Sequence, residues 1–365
     1  MIANQHPHLD VGSASHPGEK REINEDRHTV VSYRIQKDST PVVLAIVADG
    51  IGGHQAGEVA SEITVETIVE AVMKEGVQDP IKTLRSAVLS AGVAVFDVAQ
   101  KSSDFLGMGS TAVIACVVGD RLYTTHVGDS RIYLYRRRRL RQITKDHTWV
   151  QEAIEHQIIE PQDAADHPNA HMLQRALGSA DPPEPDFRMR LSDRENDSES
   201  ESNQGLLLKS GEKILLCTDG LTDLVKDEEI ELALIEQSPD VAAQSLISLA
   251  RARGGHDNIT VAILAVPEKR LTTAPLRRRR GFLFSAILIL SFVVVIAVSM
   301  LISWQMGWIP WPLGSLVSPT QVESPTPLTD PKLEPETETE SSSSSPAEQS
   351  IFTLDATPLP RSLKI

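Results

Sequence analysis

The sequence predicts an α+β layered domain over residues 1–267, followed by one membrane-length apolar segment and a polar tail. Three observations carry that reading. Short apolar strands are joined by tight turns such as Val118-Gly119-Asp120-Arg121, which points to antiparallel pairing. Helical periodicities come in groups rather than after every strand, which disfavours a doubly wound parallel sheet. Finally, Phe282 to Ser303 is a run of 22 residues without a charge. At about 1.5 Å per residue it spans roughly 33 Å, enough to cross a hydrocarbon core.

Taken in order, the strand candidates are Thr29–Ile35, Val42–Ala48, Ser110–Val118, Arg121–Val127, Arg131–Tyr135, Leu140–Ile143, Lys213–Cys217 and Ile259–Val266. Each is a short β-branched or apolar run bounded by turn residues. Val42 to Ala48 is apolar throughout, as a strand buried on both faces reads. The periodicity predicts helices over Gly57–Met73, Pro80–Lys101, Trp149–His156, Pro161–Arg175, Asp227–Gln237 and Pro239–Arg253. Residues 147–177 read as a helical insertion between two sheet-forming parts. Residues 192–204, with five acids against Arg194, read as a mobile solvated loop.

The formal net charge of −15 is concentrated in that loop and in the tail after Pro319, which holds eight acids against three bases. The remainder is mildly acidic, which argues against nucleic-acid binding. Cys116 and Cys217 both sit in apolar strand-like runs and read as buried thiols. The N-terminus has no apolar core of the secretory type. Arg277 to Arg280 precede the 282–303 run, within a basic segment over 268–281, and Trp304, Trp308 and Trp311 follow it. That asymmetry predicts a single-pass anchor in the cell membrane, with residues 1–267 cytoplasmic and the tail outside. The tail, 304–365, is rich in Pro, Ser, Thr and Glu and is expected to be disordered.

The chemistry centres on strand ends. Val42–Ala48 stops at Asp49-Gly50, followed by Gly52-Gly53-His54. Lys213–Cys217 runs into Asp219-Gly220, a near copy. Asp257-Asn258 stands directly before the last strand, and Gly128-Asp129-Ser130-Arg131 links two others. Arg21-Glu22-Ile23-Asn24-Glu25-Asp26 adds two further acids before a strand. Singly, these are ordinary turn residues. Together they are carboxylates at the ends of buried strands, which gather only around a neutralising cation. All donors are oxygens, with no Cys or His at metal spacing, which selects Mg²⁺ or Mn²⁺.

The ordered motifs Arg-x-x-Asn-Glu-Asp, Asp-Gly-x-Gly-Gly-His, Gly-Ser-Thr-Ala, Gly-Asp-Ser-Arg, Asp-Gly-Leu-x-Asp and Asp-Asn-Ile-Thr, from about Gly12 to Val266, closely resemble the bacterial protein phosphatase 2C family. The resemblance implies metal-dependent serine/threonine phosphatase activity and a four-layer α/β/β/α sandwich of two mainly antiparallel sheets. It implies that Asp49 bridges two Mn²⁺ or Mg²⁺ ions, that the Gly50 carbonyl completes the second, and that Asp219 and Asp257 bind the first. Glu25 and Asp26 would hold metal-bound waters. Asp129 would help Asp219 seat a third, weaker ion, and Arg21 would grip the substrate phosphate. The insertion at 147–177 would be the family's flap beside the cleft.

Such a metal pair makes hydroxide available near neutral pH for in-line attack on phosphorus. His54 is a candidate proton donor to the leaving alkoxide; its other reading is a surface histidine at a helix start. Phosphoproteins, and serine/threonine kinases whose action is opposed, are the partners implied. Arg136–Arg139 at a hairpin tip are either a tolerated basic turn or a contact with anionic lipid. The alternatives to catalysis are a regulator that only binds phosphoproteins and a receptor sensing through its outer tail.

Overall fold

The computed structural model describes residues 1–268, except 5, 53–55, 165–166 and 182, and residues 280–307, with the backbone alone over 280–288. Its chain contacts divide into two units, Met1–Leu276 and Arg277–Ile365. In chain order the first unit holds β1 (Ile2–Ala3), β2 (Asp10–His16), β3 (Arg27–Arg34), β4 (Pro41–Ala48), β5 (Gly50–Ile51), α1 (Ala56–Glu75), α2 (Pro80–Ala99), β6 (Gly109–Ser110), β7 (Ala112–Val118), β8 (Arg121–Val127), β9 (Arg131–Arg136) and β10 (Arg139–Gln142). There follow α3 (Trp149–Glu155), α4 (Asp197–Ser202), β11 (Leu206–Leu207), β12 (Lys213–Cys217), α5 (Asp219–Thr222), α6 (Asp227–Glu236), α7 (Pro239–Ala252) and β13 (Ile259–Ala265). The second unit contributes α8 (Arg280–Gln305).

One sheet has the order β1-β3-β4-β7-β8-β11 and the other β10-β9-β12-β13-β2, and every pairing is antiparallel. The period-two alternation of strand side chains builds the layers. From β4, Val42, Leu44 and Ile46 face a core with Ile68 and Val72 of α1 and Leu84 and Val88 of α2. The alternate residues Val43, Ala45 and Val47 meet Ile132, Leu134, Ile214, Leu216 and Leu264 of the second sheet. That sheet's outer face, with Tyr133, Leu215, Val261 and Ile263, is covered by Ile230 and Leu234 of α6 and Leu246 and Ala250 of α7. The result is the α/β/β/α sandwich that the resemblance implies. Burying one Val or Leu this fully stabilises the fold by about 1.5–3 kcal/mol, and β4 contributes seven fully buried positions.

Two expectations need correction. Pro161–Arg175 is not a helix: it forms a single short turn at Pro161–Asp163 and then irregular backbone through the described residues. Pro168 cannot donate the hydrogen bond an interior helical turn needs. The acidic stretch 192–204 is not a structureless loop. Asn196 and Glu199 form a reciprocal capping box that starts α4. In the basic tip, Arg136 is already bound, to Glu212 at 2.6 Å and to the Leu207 carbonyl. Arg137 and Arg138 form the turn itself, at φ 53° and 62°, and Arg137 to Arg139 are exposed.

Among the described residues, no helix is long and apolar enough to cross a membrane. The 282–303 segment is helical in its backbone, and the side chains of 280–288 lie outside the described residues. Arg277–Arg279, Trp308, Trp311 and the rest of the tail also lie outside them. Both cysteines are buried free thiols.

Candidate metal centre

The centre is built where buried strands of both sheets end together. At the end of β4, the Asp49 amide donates to Thr111 Oγ1 at 3.0 Å, and its carbonyl accepts from the Thr111 amide at 2.8 Å and the Ser110 hydroxyl at 3.1 Å. The Gly-Ser-Thr-Ala motif therefore fixes the Asp49 backbone. Gly50 is demanded by close approach: a Cβ there would lie 2.0 Å from the Gly57 carbonyl oxygen and 2.6 Å from that of Glu25.

Asn258 ties the 17–25 loop to the start of β13. Its Oδ1 accepts from the Glu25 amide at 2.7 Å, and its Nδ2 donates to the Pro17 and Ile23 carbonyls at 3.0 and 2.9 Å. Asn24 Oδ1 accepts from the Asp26 amide at 3.2 Å. Asp26 is 2% exposed, and its Oδ2 accepts from the Thr218 hydroxyl at 2.9 Å. Asp219 opens α5 one residue after Thr218. Asp257 Oδ2 accepts from Arg21 Nη2 at 2.8 Å, and half of the Arg21 side chain stays exposed.

Five acids from five separate segments thus converge. The charges of Asp26, Asp219, Asp129 and Asp257 all bear on Asp49. Burial first, and these neighbours second, push Asp49 well above the usual carboxylate range. Burial likewise pushes Asp26 up to about 7 and Asp129 up to about 8, and it raises Glu25. Asp219 behaves differently. Burial would raise it, but contact with the protonated His171 ring holds it below its ordinary value. In turn, the Asp219 contact raises His171 to about 9.

Three carboxylate oxygens in this cluster, Glu25 Oε1, Asp26 Oδ1 and Asp219 Oδ1, are buried without a hydrogen-bond partner. An unpaired buried carboxylate oxygen is costly. A hard divalent cation satisfies several at once, and an all-oxygen donor set suits Mn²⁺ or Mg²⁺.

Of the residues singled out from sequence, Arg21, Glu25, Asp26, Asp49, Gly50, Asp129, Asp219 and Asp257 come together here. His54 lies outside the described residues. Arg131 forms a tight pair with Asp146 at 2.7 Å and is fully engaged within the domain. Three further residues join the cluster. Asp223 stands one helical turn beyond Asp219, and His171 Nδ1 reaches Asp219 at 3.8 Å and Asp223 at 4.0 Å. His256 Nε2 lies 3.5 Å from Asp223. The i,i+4 spacing of Asp219 and Asp223 was the available signal for the first. No sequence signal could bring His171 from the flap. These groups border a cleft of about 540 Å³ between the acids and α3 of the flap.

Fold and site together define a two-sheet sandwich with an acidic, oxygen-only candidate cation centre at its strand ends. The family model described as "Protein phosphatase 2C" matches residues 10–155. A serine/threonine protein phosphatase named PstP of Mycobacterium tuberculosis is 38% identical over 225 residues, 61% of this chain. The match spans 40% of that relative's length. A putative protein phosphatase 2C-type protein of Streptococcus pyogenes is 33% identical over 251 residues, covering 68% of this chain and 93% of the relative. Among solved structures, the PstP catalytic domain in complex with two manganese ions is similar at 33% identity and a TM-score of 0.59, over 71% of this chain and 99% of that one. The chain belongs to the protein phosphatase 2C family.

Proposed function

We propose that this chain is a metal-dependent phosphoprotein phosphatase acting on phosphoserine and phosphothreonine. The observation that carries the reading is the set of three partnerless carboxylate oxygens on Glu25, Asp26 and Asp219 within one buried acid cluster. Asp49, the Gly50 carbonyl, Asp219 and Asp257 are the residues to hold two Mn²⁺ or Mg²⁺ ions. Glu25 and Asp26 orient water around them, and Asp129, with Asp219, serves a third. When bound, such a pair makes a deprotonated water available near neutral pH. The solved relative in complex with two manganese ions supports a two-cation centre.

Arg21 is suited to the substrate phosphate. Its guanidinium reaches Asp257 from a half-exposed position, which leaves part of the fork open to solvent beside the acids. Its fork can take two equatorial oxygens as charge spreads over them in the transition state. His54 stays the proposed proton donor to the leaving alkoxide. The proposed partners are phosphoproteins, including serine/threonine kinases and their substrates.

The 282–303 helix is proposed as a single-pass anchor in the cell membrane, with the catalytic unit on the cytoplasmic side and the tail outside. Its uncharged length and the preceding arginines support that. Arg137–Arg139 would add lipid contact, since they are the exposed part of the basic tip. Vesicle co-sedimentation tests it: equal binding with all three replaced by serine removes the lipid role. For catalysis, the test is Mn²⁺-dependent turnover of p-nitrophenyl phosphate and a phosphothreonine peptide by the full chain and its Asp49→Asn variant. Loss of turnover in the variant alone supports the reading. Absence of turnover in a wild-type chain loaded with Mn²⁺ makes it a phosphoprotein-binding regulator instead.

A further inference from the structure

The turn that carries Asp129 is held from both sides by two consecutive residues at the base of the flap. On one side, His147 takes both backbone groups of Gly128. Its amide donates to the Gly128 carbonyl at 3.0 Å, and its Nδ1 accepts from the Gly128 amide at 3.1 Å. On the other side, Asp146 takes Arg131, with Arg131 Nε at 2.9 Å and Nη2 at 2.7 Å from Asp146 Oδ2. Asp129 and Ser130 lie between these two grips. Ser130 Oγ is hydrogen-bonded to Thr111 Oγ1 at 2.8 Å, the same hydroxyl that anchors the Asp49 amide. Gly128 itself sits at φ +103°, and a Cβ there would meet Thr111 Cγ2 at 2.6 Å. Only glycine fits there, and its wide conformational freedom leaves the turn to be fixed by the hydrogen bonds around it.

The hold is rigidly backed. His147 accepts through Nδ1, so its Nε2 carries the proton and points at Asp186 Oδ2, 3.3 Å away. Asp186 is in turn bound by Arg188, at 2.8 Å from Nε. The His147 ring stacks on His126 with centroids 4.6 Å apart, and His126 Nε2 donates to the Lys145 carbonyl at 2.7 Å. On the Asp146 side, Gln142 Nε2 donates to Asp146 Oδ1 at 2.8 Å.

The same two residues open the flap, and the flap's returning leg is fastened to them. The Gln174 amide donates to the His147 carbonyl, and the Trp149 amide to the Met172 carbonyl, each at 2.8 Å. Thr148 and Leu173 form an antiparallel bridge. His171, which faces Asp219 and Asp223, lies two residues before that bridge. Flap base and Asp129 turn are thus one hydrogen-bonded piece.

We propose that Asp146 and His147 are positioning residues that set the Asp129 carboxylate for a third cation and couple that cation to the flap. The proposal rests on the metal-dependent reading above. The His147 side chain reaches Asp129 through Gly128. Partners of this kind are typically worth about 10- to 100-fold in metal affinity.

The test is Mn²⁺ titration of the full chain, reading bound and free ion by electron paramagnetic resonance, alongside thermal melting. Three proteins are compared: wild type, His147→Ala and His147→Asn. Asparagine presents an amide oxygen near the place of Nδ1, so it keeps the Gly128 grip, but it loses both the Asp186 bond and the ring stack. The expected result is that His147→Ala weakens the weakest Mn²⁺ site about tenfold or more and leaves the tighter sites within about twofold. His147→Asn restores the weak site while melting as low as His147→Ala. A purely structural role would instead make weak-site affinity follow melting temperature. Equal weak-site affinity in all three proteins, or equal loss in both variants, overturns the proposal. Should His147→Ala not fold, Asp146→Asn replaces it: a selectively weakened third site supports the proposal, and an unchanged one overturns it. A wild-type chain that binds no Mn²⁺ overturns the metal-dependent reading itself.

Discussion

Replacing Asp26 by asparagine separates the two faces of the acidic centre. Asp26 is 2% exposed, and burial pushes its carboxyl from 3.8 up to about 7. The folded chain therefore holds that proton more tightly than the unfolded chain. Stability from this group is fully present below pH 4, is lost as pH rises from 4 through 7, and is then constant. A gap of about three pKa units corresponds to about 4 kcal/mol of destabilisation above pH 7. Asparagine keeps the acceptor that Thr218 uses and removes the charge. In cation-free buffer at pH 8, Asp26→Asn is expected to melt about 10 °C above wild type, since 1 kcal/mol moves a unit of this size by about 2–4 °C. Saturating Mn²⁺ narrows the gap. A hundredfold excess over Kd stabilises wild type by about 2.7 kcal/mol, and the variant, with one acid fewer, gains less. Melting by differential scanning calorimetry at pH 5 and pH 8, with chelator and with Mn²⁺, reads both effects. An Asp26→Asn chain no more stable than wild type in chelator at pH 8, or one that keeps its whole advantage in Mn²⁺, refutes the claim that the buried Asp26 charge destabilises the fold until a cation arrives.

Three further expectations follow from the same geometry. Gly50→Ala drives a Cβ to 2.0 Å from the Gly57 carbonyl oxygen, so it should cost about 1–3 kcal/mol in urea unfolding and remove Mn²⁺-induced stabilisation. Arg21→Ala should lower kcat/KM for a phosphothreonine peptide by about 10- to 100-fold, the worth of a charge-assisted hydrogen bond, while Mn²⁺ affinity stays within a few-fold; steady-state kinetics and titration read these separately. Burial, and then the charge of His147, push His126 down to about 4, so the unfolded chain binds its proton first as pH falls below 6.5. Between pH 6.5 and 4 that group should cost up to about 3 kcal/mol, and the urea midpoint of a His126→Gln variant should fall less steeply with pH over that window.

The parts of this molecule that were legible in the sequence are those whose physics is local. β4 and β12 are apolar runs because both their faces are covered, and the Asp-Gly pairs that follow them announce where backbone and carboxylate must approach closely. β2 escaped notice because its edge position, paired only with β13, lets it be built from small and polar residues such as Gly12, Ser13 and Ser15. The flap misled because its residues alternate in a helix-like way, while Pro168 and the turn around it forbid the helix. α4 was masked by its charge, although Asn196 and Glu199 already spelled its cap. The acids could be read as a cluster because each ends a strand. His171, His147 and Asp146 reach the centre only through the folded path of the flap, and no spacing along the chain encodes that path.

The most direct measurement is an anomalous-scattering map from crystals of the chain soaked in Mn²⁺. The account predicts two strong peaks about 3.5–4 Å apart, bounded by Asp49, the Gly50 carbonyl, Asp219 and Asp257. A map without a peak among these side chains, in crystals whose acids keep the arrangement described above, contradicts it.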